Sequence, residues 1–433
     1  MTRARDLADS ADKDITGTLT LDGLTVAGNV SIDSGTIKLD GNYPTGTNNL
    51  AFGDGALDAS LTGAANTAIG SFSLTNNTSG ASNTGLGFAA LGDTTTGSFN
   101  TGIGTSSLEN NTTASFNTAV GYQALYTNTT GSENVALGRL ALNQATTASY
   151  NTGIGTNALQ DNTTGAQNTA VGRSALTNNT TASQNTALGY QAAYTNTTTD
   201  RHTAIGYQAL YANSSGIRNT AIGWSALKDN TSGDRCVAVG EQTLLKNTTG
   251  NDNTGLGEGA LANNTTGGTN TAVGSSALIL NTTGSNNTAV GYQAAKSNTT
   301  GANNTAFGQW SLYDNTTGGA NVALGRSALE NNTTASQNTA VGYQSMFVNT
   351  SGAESVAVGY EALYSNTTAH TNHAFGYRAL KANTTGSANV GVGHNALTAN
   401  TTASYNTAVG HEASLSNTTG TENTSIGQGA LRT

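Results

Sequence analysis

The strongest constraint on this fold is a 17-residue repeat that runs without an insertion or a deletion. The first unit begins at Asn49 and the last at Asn423, so 22 full units and a partial unit, 423–433, cover most of the 433-residue chain. A typical unit is 117–133, NTAVGYQALYTNTTGSE, and positions are numbered 1 to 17 from its first residue. Seventeen residues are too few for the helix pairs of 33- or 34-residue repeats, so each unit must be one small coil.

The pattern within a unit predicts an all-β parallel β-solenoid, or β-roll. Position 2 is mostly Thr, position 4 is always Val, Ile, Leu or Phe, and positions 12 to 17 are mostly Asn, Thr, Ser and Gly. This alternation indicates a strand at positions 2 to 4 followed by turns, and we expect a second short strand at positions 7 to 11. With a rung spacing of about 4.8 Å, the stacked coils form a rod of roughly 110 Å.

Recurrence within the chain also predicts which residues are structural. Position 5 is Gly in all 23 units, which indicates a positive φ or a close backbone approach at a corner. The large apolar residues of positions 4 and 9, with position 2, are expected to point inward, and the small residues of positions 3 and 8 outward. The representative structural positions are Gly53, Gly70, Gly87, Gly121, Val120, Leu125, Ala119 and Ala124.

A thin core predicts that the rod associates with copies of itself. Two large side chains per coil supply roughly 3–6 kcal/mol of apolar burial, against an ordering cost on the order of 25 kcal/mol for 17 residues. The expected outer stripe of small residues would let rods approach closely, so we predict a homotrimer; a single rod with an exposed alanine stripe is the alternative. Charged residues make up only 9% of the chain, because a charge repeated at one position would face copies of itself.

Composition excludes several other classes. A net charge of −9 argues against nucleic-acid binding, and the single cysteine, Cys236, excludes an intramolecular disulfide framework. No apolar run is long enough for a membrane helix, and the N-terminus has no secretory signal. Pro44 precedes the repeats, so we divide the chain into an N-terminal segment, 1–48, and a solenoid, 49–433.

The core of the repeat resembles a known family. The sequence Asn-Thr-Ala-Val-Gly at 117–121, 168–172, 270–274 and 406–410 is similar to the head repeats of trimeric autotransporter adhesins. The resemblance implies a left-handed β-roll assembled as a trimer. This chain departs from that family in its longer period, in the Thr at position 2, and in showing neither an exported N-terminus nor a C-terminal membrane barrel.

The N-terminal segment resembles a different group. Residues 15–32 form alternating short strands broken at Asp22-Gly23 and Gly28-Asn29, which is similar to the amino-terminal part of tail-fibre and appendage proteins of tailed bacteriophages. The resemblance implies a virion protein, made in the host cytoplasm without a signal peptide and attached to tail or baseplate proteins through 1–48. The repeats would act as a stiff spacer, and a tip protein or a host surface glycan would meet the C-terminal end, where an open strand edge needs covering.

Two other functions stay open. One is a bacterial surface or secreted adhesin rod, and the other is an ice-binding solenoid, which the expected inward direction of the position-2 Thr disfavours. Catalysis and a cofactor are not expected, because acidic residues are scattered over the repeat. The one close pair, Glu241 and Glu258 at position 6 of adjacent coils, is interpreted as solvated.

Position 6 also carries the candidate binding residues. His394 and His411 stand one coil apart and are the candidates for a metal site; the alternative is a solvated pair. Aromatic ladders can bind saccharides or fill subunit seams; the candidate glycan contacts are Tyr122, Tyr190, Tyr207, Tyr292, Tyr343, Tyr360 and Tyr377. The Asn-Thr-Thr sequences, such as 128–130, match a glycosylation sequon but are interpreted as turn chemistry.

Overall fold

The structure, a computed structural model, describes residues 47–59 and 62–432, so the predicted N-terminal segment, 1–48, lies almost entirely outside the described residues. The described part is all-β, with one three-residue strand in each of the 23 units and no helix. The strands are β1 Leu50–Phe52, β2 Thr67–Ile69, β3 Thr84–Leu86, β4 Thr101–Ile103, β5 Thr118–Val120, β6 Val135–Leu137, β7 Thr152–Ile154, β8 Thr169–Val171, β9 Thr186–Leu188, β10 Thr203–Ile205, β11 Thr220–Ile222, β12 Val237–Val239, β13 Thr254–Leu256, β14 Thr271–Val273, β15 Thr288–Val290, β16 Thr305–Phe307, β17 Val322–Leu324, β18 Thr339–Val341, β19 Val356–Val358, β20 His373–Phe375, β21 Val390–Val392, β22 Thr407–Val409 and β23 Thr424–Ile426.

Each strand pairs in parallel with the next strand along the chain. The register is one repeat, so Thr118 lies opposite Val135 and Val120 opposite Leu137. The 23 strands form one continuous sheet, with each coil supplying one strand. The predicted β-solenoid and the strand at positions 2 to 4 are therefore confirmed.

The predicted direction of the strand side chains is wrong. In 22 of the 23 strands the middle residue, at position 3, is buried and its two neighbours are not. Ala119 is fully buried together with Ala124 and Leu125, whereas Val120 at position 4 is half-buried on the outside. Only small residues fit at positions 3 and 8 because both lie in the narrow core, so these positions form no exposed stripe.

The predicted second strand at positions 7 to 11 is also wrong. Residues 7 and 9 have positive φ, 51° at both Gln123 and Leu125, while Ala124 between them does not. This alternation coils the backbone into consecutive turns, yet the segment still bonds the next rung, with the Leu125 N–H donating to the Ala141 carbonyl at 3.0 Å. Residues branched at Cβ tolerate positive φ poorly, and positions 7 and 9 contain no Val, Ile or Thr.

The position-5 glycine has both properties expected of the corner, a positive φ and a close approach to the backbone of the next rung. Gly121 has a φ of +138°, and a Cβ placed on it would lie 2.7 Å from the carbonyl carbon of Gly138 in the next rung. Any side chain would therefore be strained and would also separate the rungs. This double requirement explains why position 5 is invariant along the chain.

Small size differences in the core are compensated between neighbouring coils. Position 8 is usually Ala, but Thr243 occupies it in one coil. In the next coil Gly255 replaces Ala at position 3, where a Cβ would lie 2.5 Å from Cγ2 of Thr243. The Thr–Gly pair thus fills the volume that an Ala–Ala pair fills elsewhere.

Candidate functional site

The most extensive feature on the outside of the solenoid is an apolar face. We use the name sheet face for the outward side chains of positions 2 and 4 along β1–β23. Ten of the 23 position-4 residues are exposed large apolar side chains, and Leu256 and Phe307 are exposed by 47% and 52%. Beside them runs a row of Thr, which occupies position 2 in 16 of the 23 units. Soluble monomers rarely expose apolar patches this long, so the sheet face is a candidate interaction surface.

Two buried ladders of asparagine hold consecutive rungs together. At position 1, the backbone N–H of Asn134 donates to Oδ1 of Asn117 at 2.9 Å, and its Nδ2 donates to the Ala148 carbonyl at 2.8 Å. At position 12, Nδ2 of Asn128 donates to Oδ1 of Asn111 at 3.0 Å and to the Gly131 carbonyl at 2.9 Å. Each ladder satisfies corner backbone groups that the strands leave unpaired.

Sequence reasoning missed the burial of these asparagines. The recurrence of Asn at position 1 in 20 of 23 units was the available signal. The interpretation of the Asn-Thr-Thr turns as turn chemistry agrees with the side-chain bonds, since Thr129 Oγ1 also donates to the Thr146 carbonyl at 3.1 Å. Asn128 is completely buried, so the folded chain does not expose this sequon asparagine to modification.

Three units replace the position-1 asparagine, with His202, Cys236 and Ser355. His202 is buried, and burial lowers the pKa of its imidazole to about 4. Its Nδ1 accepts the Asn219 backbone N–H at 3.2 Å, so the neutral ring carries its proton on Nε2, which lies 2.9 Å from the Thr199 hydroxyl. The His ring thereby reproduces the acceptor that Asn supplies in other rungs.

Cys236 takes the same place two rungs later. Its thiol donates to the Gly250 carbonyl at 3.2 Å, and its backbone N–H donates to Oδ1 of Asn219 at 2.8 Å. Burial raises the pKa of the thiol to about 11, so the sulfur stays protonated and unreactive at neutral pH. The only cysteine of the chain is therefore a structural part of the ladder.

The position-6 residues form an exposed row of stacked rings. The structure brings Tyr343, Tyr360 and Tyr377 together with centroids 5.3 Å apart and ring planes within 14° of parallel. Tyr190 and Tyr207 form a second stack, whose centroids are 5.4 Å apart. The other two candidate glycan contacts, Tyr122 and Tyr292, have no aromatic residue at position 6 of the adjacent coils.

This stacking decides what the tyrosines present to solvent. A ring inside a stack has its two faces covered by its neighbours, so Tyr360 exposes its edge and hydroxyl rather than a face. Saccharides pack against open aromatic faces, whereas hydroxyls form directional hydrogen bonds. The row therefore offers a column of hydrogen-bonding groups at one-rung intervals.

The two candidate metal ligands, His394 and His411, extend the Tyr343–Tyr377 stack by two further rings. His394 stacks on Tyr377 at 5.0 Å and on His411 at 4.9 Å, with the two imidazole planes 5° apart. Parallel rings direct their nitrogen lone pairs in parallel rather than toward one point between them. Within residues 47–59 and 62–432, no group of three or more His, Cys, Asp or Glu side chains is placed to hold a metal ion.

A network of charged residues lies beside the Tyr343–Tyr377 stack. Glu361 is largely buried and accepts hydrogen bonds from Arg378 at 2.9 Å and Lys381 at 2.6 Å. Burial raises the pKa of the Glu361 carboxyl, but the two cations outweigh that effect and hold it below its usual range. The Arg378 guanidinium lies 4.9 Å from the Tyr377 ring centroid, so the network also orders the aromatic row.

The predicted acidic pair is exposed. Glu258 accepts a hydrogen bond from Ser275 at 3.0 Å, and Glu241 occupies the same position one coil earlier. Both side chains are open to solvent, as expected for a solvated pair.

Comparison with known proteins adds no family to these observations. No protein-family model and no curated protein matches the chain. In the described residues, no helix is long and apolar enough to cross a membrane. The functional interpretation therefore depends on the geometry of the solenoid and its exposed rows.

Proposed function

We propose that this chain is a structural fibre protein that assembles as a homotrimer and serves as a stiff spacer in a virion appendage such as a tail fibre. The observation that carries the proposal is the sheet face, where position 4 is apolar in all 23 units and ten of its side chains are exposed. Buried ladders and an unbroken sheet resist bending, whereas a long apolar face needs a covering. Copies of the same face supply that covering when three rods pack around one axis.

This proposal keeps the predicted trimer but changes its contact surface. Positions 3 and 8 lie in the core, so Ala119 and Ala124 cannot contact another rod. Position 4 takes their place, since its Val, Ile, Leu and Phe side chains already point outward. A left-handed coil and attachment through 1–48 to tail or baseplate proteins complete the proposed assembly.

We propose that a tip protein or a host surface glycan meets the C-terminal end of the rod. The position-6 row, in which the stacked ring of Tyr360 is exposed, is available to the glycan.

Ice binding gains support from one observation and remains the second candidate. The position-2 Thr row points outward on a regular sheet, whereas the sequence predicted an inward direction; Thr118 and Thr169 are half-buried and exposed. The neighbouring row opposes this function because position 4 alternates irregularly among Val, Ile, Leu and Phe. A measurement of thermal hysteresis on the purified chain separates the two functions: activity favours ice binding, and its absence favours the fibre.

A matched pair of substitutions tests the role of the sheet face. Leu256→Lys places a charge on the sheet face, and Leu280→Lys places one at position 11, where Leu280 is similarly exposed at 42%. We expect Leu256→Lys to dissociate the trimer at protein concentrations at least tenfold higher than the parent requires, since three desolvated ammonium groups would meet at the axis. Equal behaviour of the two variants in sedimentation equilibrium would contradict the proposal.

The location in a virion needs a separate test. Antibodies raised against the repeats should label particle appendages in electron micrographs of the source sample. Labelling of bacterial surfaces instead would support the alternative, an adhesin rod of bacterial origin.

A further inference from the structure

Two exposed rows border the sheet face on opposite sides. Position 17 lies two residues before each strand, and position 6 lies two residues after it. Arg218 and Trp224 mark the two rows around β11 and are both exposed. They are six positions apart in the chain, so an extended path places the rows up to about 20 Å apart. Each row is thus free to meet another molecule at a different margin of the sheet face.

The two rows are chemically complementary over three consecutive rungs. Position 6 carries Tyr190, Tyr207 and Trp224, which stack on one another. Position 17 of the same three units carries arginine, in the order Arg201, Arg218 and Arg235. Only 16 of the 433 residues are Lys or Arg, so three successive arginines in one row are a marked local feature.

One other unit carries the same combination with the rows exchanged. In unit 134–150 the arginine is at position 6, as Arg139, and the aromatic residue is at position 17, as Tyr150. Most other units lack this combination, since Tyr122 is paired with Glu133 in unit 117–133, so the complementarity is a local feature of residues 185–235.

The unit that follows the three arginines carries an acidic residue in each of the two rows. Unit 236–252 has Glu241 at position 6 and Asp252 at position 17. Arg235 neutralises Asp252 through two hydrogen bonds, of 2.6 and 2.9 Å. The carboxylate of Asp252 is therefore already satisfied within the same chain.

Among the described residues, one of the three successive arginines has no side-chain partner. Like charges at adjacent rungs repel, because neighbouring strands are only about 4.8 Å apart. Arg201 bonds Gln184 at 3.2 Å and Arg235 bonds Asp252, but among the described residues the guanidinium of Arg218 forms no side-chain hydrogen bond or ion pair. A surface rich in acceptors would stabilise this row.

We propose that, in the trimer, the position-17 row of one copy packs against the position-6 row of the next copy, with the Arg201–Arg235 segment facing the Tyr190–Trp224 segment. This inference deepens the proposed function and rests on it. The guanidinium groups would donate to the tyrosine hydroxyls at the exposed ring edges, and the outer face of Trp224 would accept a cation. Because one row meets a different row, the contact is heterologous and closes as a ring of three.

Paired cysteines test this seam directly. The parent is Cys236→Asn, which restores the asparagine found at position 1 in 20 of the 23 units. Tyr207→Cys is combined with Arg201→Cys, which flanks the same strand, β10, or with Arg218→Cys, which lies one rung further along. A short bis-maleimide is added, and chains are separated under denaturing conditions. A second background retains Cys236, which is fully buried, in case Cys236→Asn impairs folding.

The outcomes distinguish this seam from the trimer itself. We expect covalent trimers from at least one double variant, and none from Tyr207→Cys, Arg201→Cys or Arg218→Cys alone. Crosslinking by a single variant would mean that like rows face each other and would overturn the seam. A trimeric mass without crosslinks in either register would overturn the seam and leave the proposed function standing, whereas a monomeric mass would overturn both.

Discussion

The backbone N–H of Asn134 donates a hydrogen bond to Oδ1 of Asn117, in the preceding coil, at 2.9 Å. In the same way, Oδ1 of Asn134 accepts the backbone N–H of Asn151 at 3.0 Å. One buried side chain therefore connects three rungs. The period can tolerate no insertion because each ladder side chain must meet the same backbone group 17 residues away.

Asn134→Ala should destabilise the surrounding rungs by about 2–4 kcal/mol, because it removes several buried hydrogen bonds and leaves backbone groups unpaired. The matched control is Asn178→Ala at position 11, whose side chain makes no hydrogen bond among the described residues. Denaturant unfolding of both variants checks the prediction. Equal midpoints for the two would show that the ladder contributes little.

The compensated core pair predicts a strong coupling between two substitutions. Gly255→Ala alone should cost about 1–3 kcal/mol, because its Cβ would lie 2.5 Å from Cγ2 of Thr243. Adding Thr243→Ala produces the Ala–Ala combination common in other coils and should recover most of the loss. A double-mutant cycle by thermal unfolding measures the coupling, and additive effects would contradict this account of the core.

The burial of His202 predicts that the stability of its rung falls in acid. Its pKa of about 4 lies below the ordinary imidazole value of 6.5, so the unfolded chain binds the proton first as the pH falls. Stability should be fully present above pH 6.5, should fall between 6.5 and 4 by about 3 kcal/mol in total, and should then level off for this group. Asp200 and Asp234 are the nearby charged groups, and they oppose the effect of burial only in part.

Hydrogen exchange of rungs 185–235 between pH 4 and 7 measures this effect. His202→Asn restores the ladder residue and should remove the additional exchange at low pH. Thr199→Gly with His202→Asn is the second variant, since Thr199 occupies a position that is otherwise Gly or Ala. The same pH profile in all three proteins would assign the acid sensitivity to another group.

Neighbouring residues of one strand should respond oppositely to substitution. Ala119 is fully buried, so Ala119→Val should overpack the core and cost about 1–3 kcal/mol. Val120 points outward, so Val120→Thr should leave the stability of a single rod within about 0.5 kcal/mol of the parent. Unfolding under conditions where the chain is monomeric provides the comparison, and the reverse order of sensitivity would restore the inward assignment of position 4.

The sequence predicted the repeating elements better than their orientation. Period, strand and corner glycine follow from recurrence, because each must be satisfied in every coil. The inward direction predicted for positions 2 and 4 was wrong because large apolar residues were expected inside the strand. The narrow core instead contains Ala119 from the strand and amides such as Asn117. The absence of β-branched residues at positions 7 and 9 could have excluded the second strand, since Leu125 has a positive φ.

The binding rows were predictable in composition but not in geometry. Position 6 places Tyr343 and Tyr360 in adjacent coils by sequence alone, yet only the structure shows their faces covered by stacking. The sequence alone does not predict a role for the arginines of position 17, because their relation to position 6 depends on which strand face points outward.

The solution mass of the full chain distinguishes the trimeric fibre from a single rod. We expect a species of about three times 43.5 kDa that persists on dilution in sedimentation equilibrium, because position 4 of the sheet face is apolar in every unit. A stable particle of 43.5 kDa over the same concentration range would show that the sheet face remains open to solvent, and would contradict the trimeric fibre.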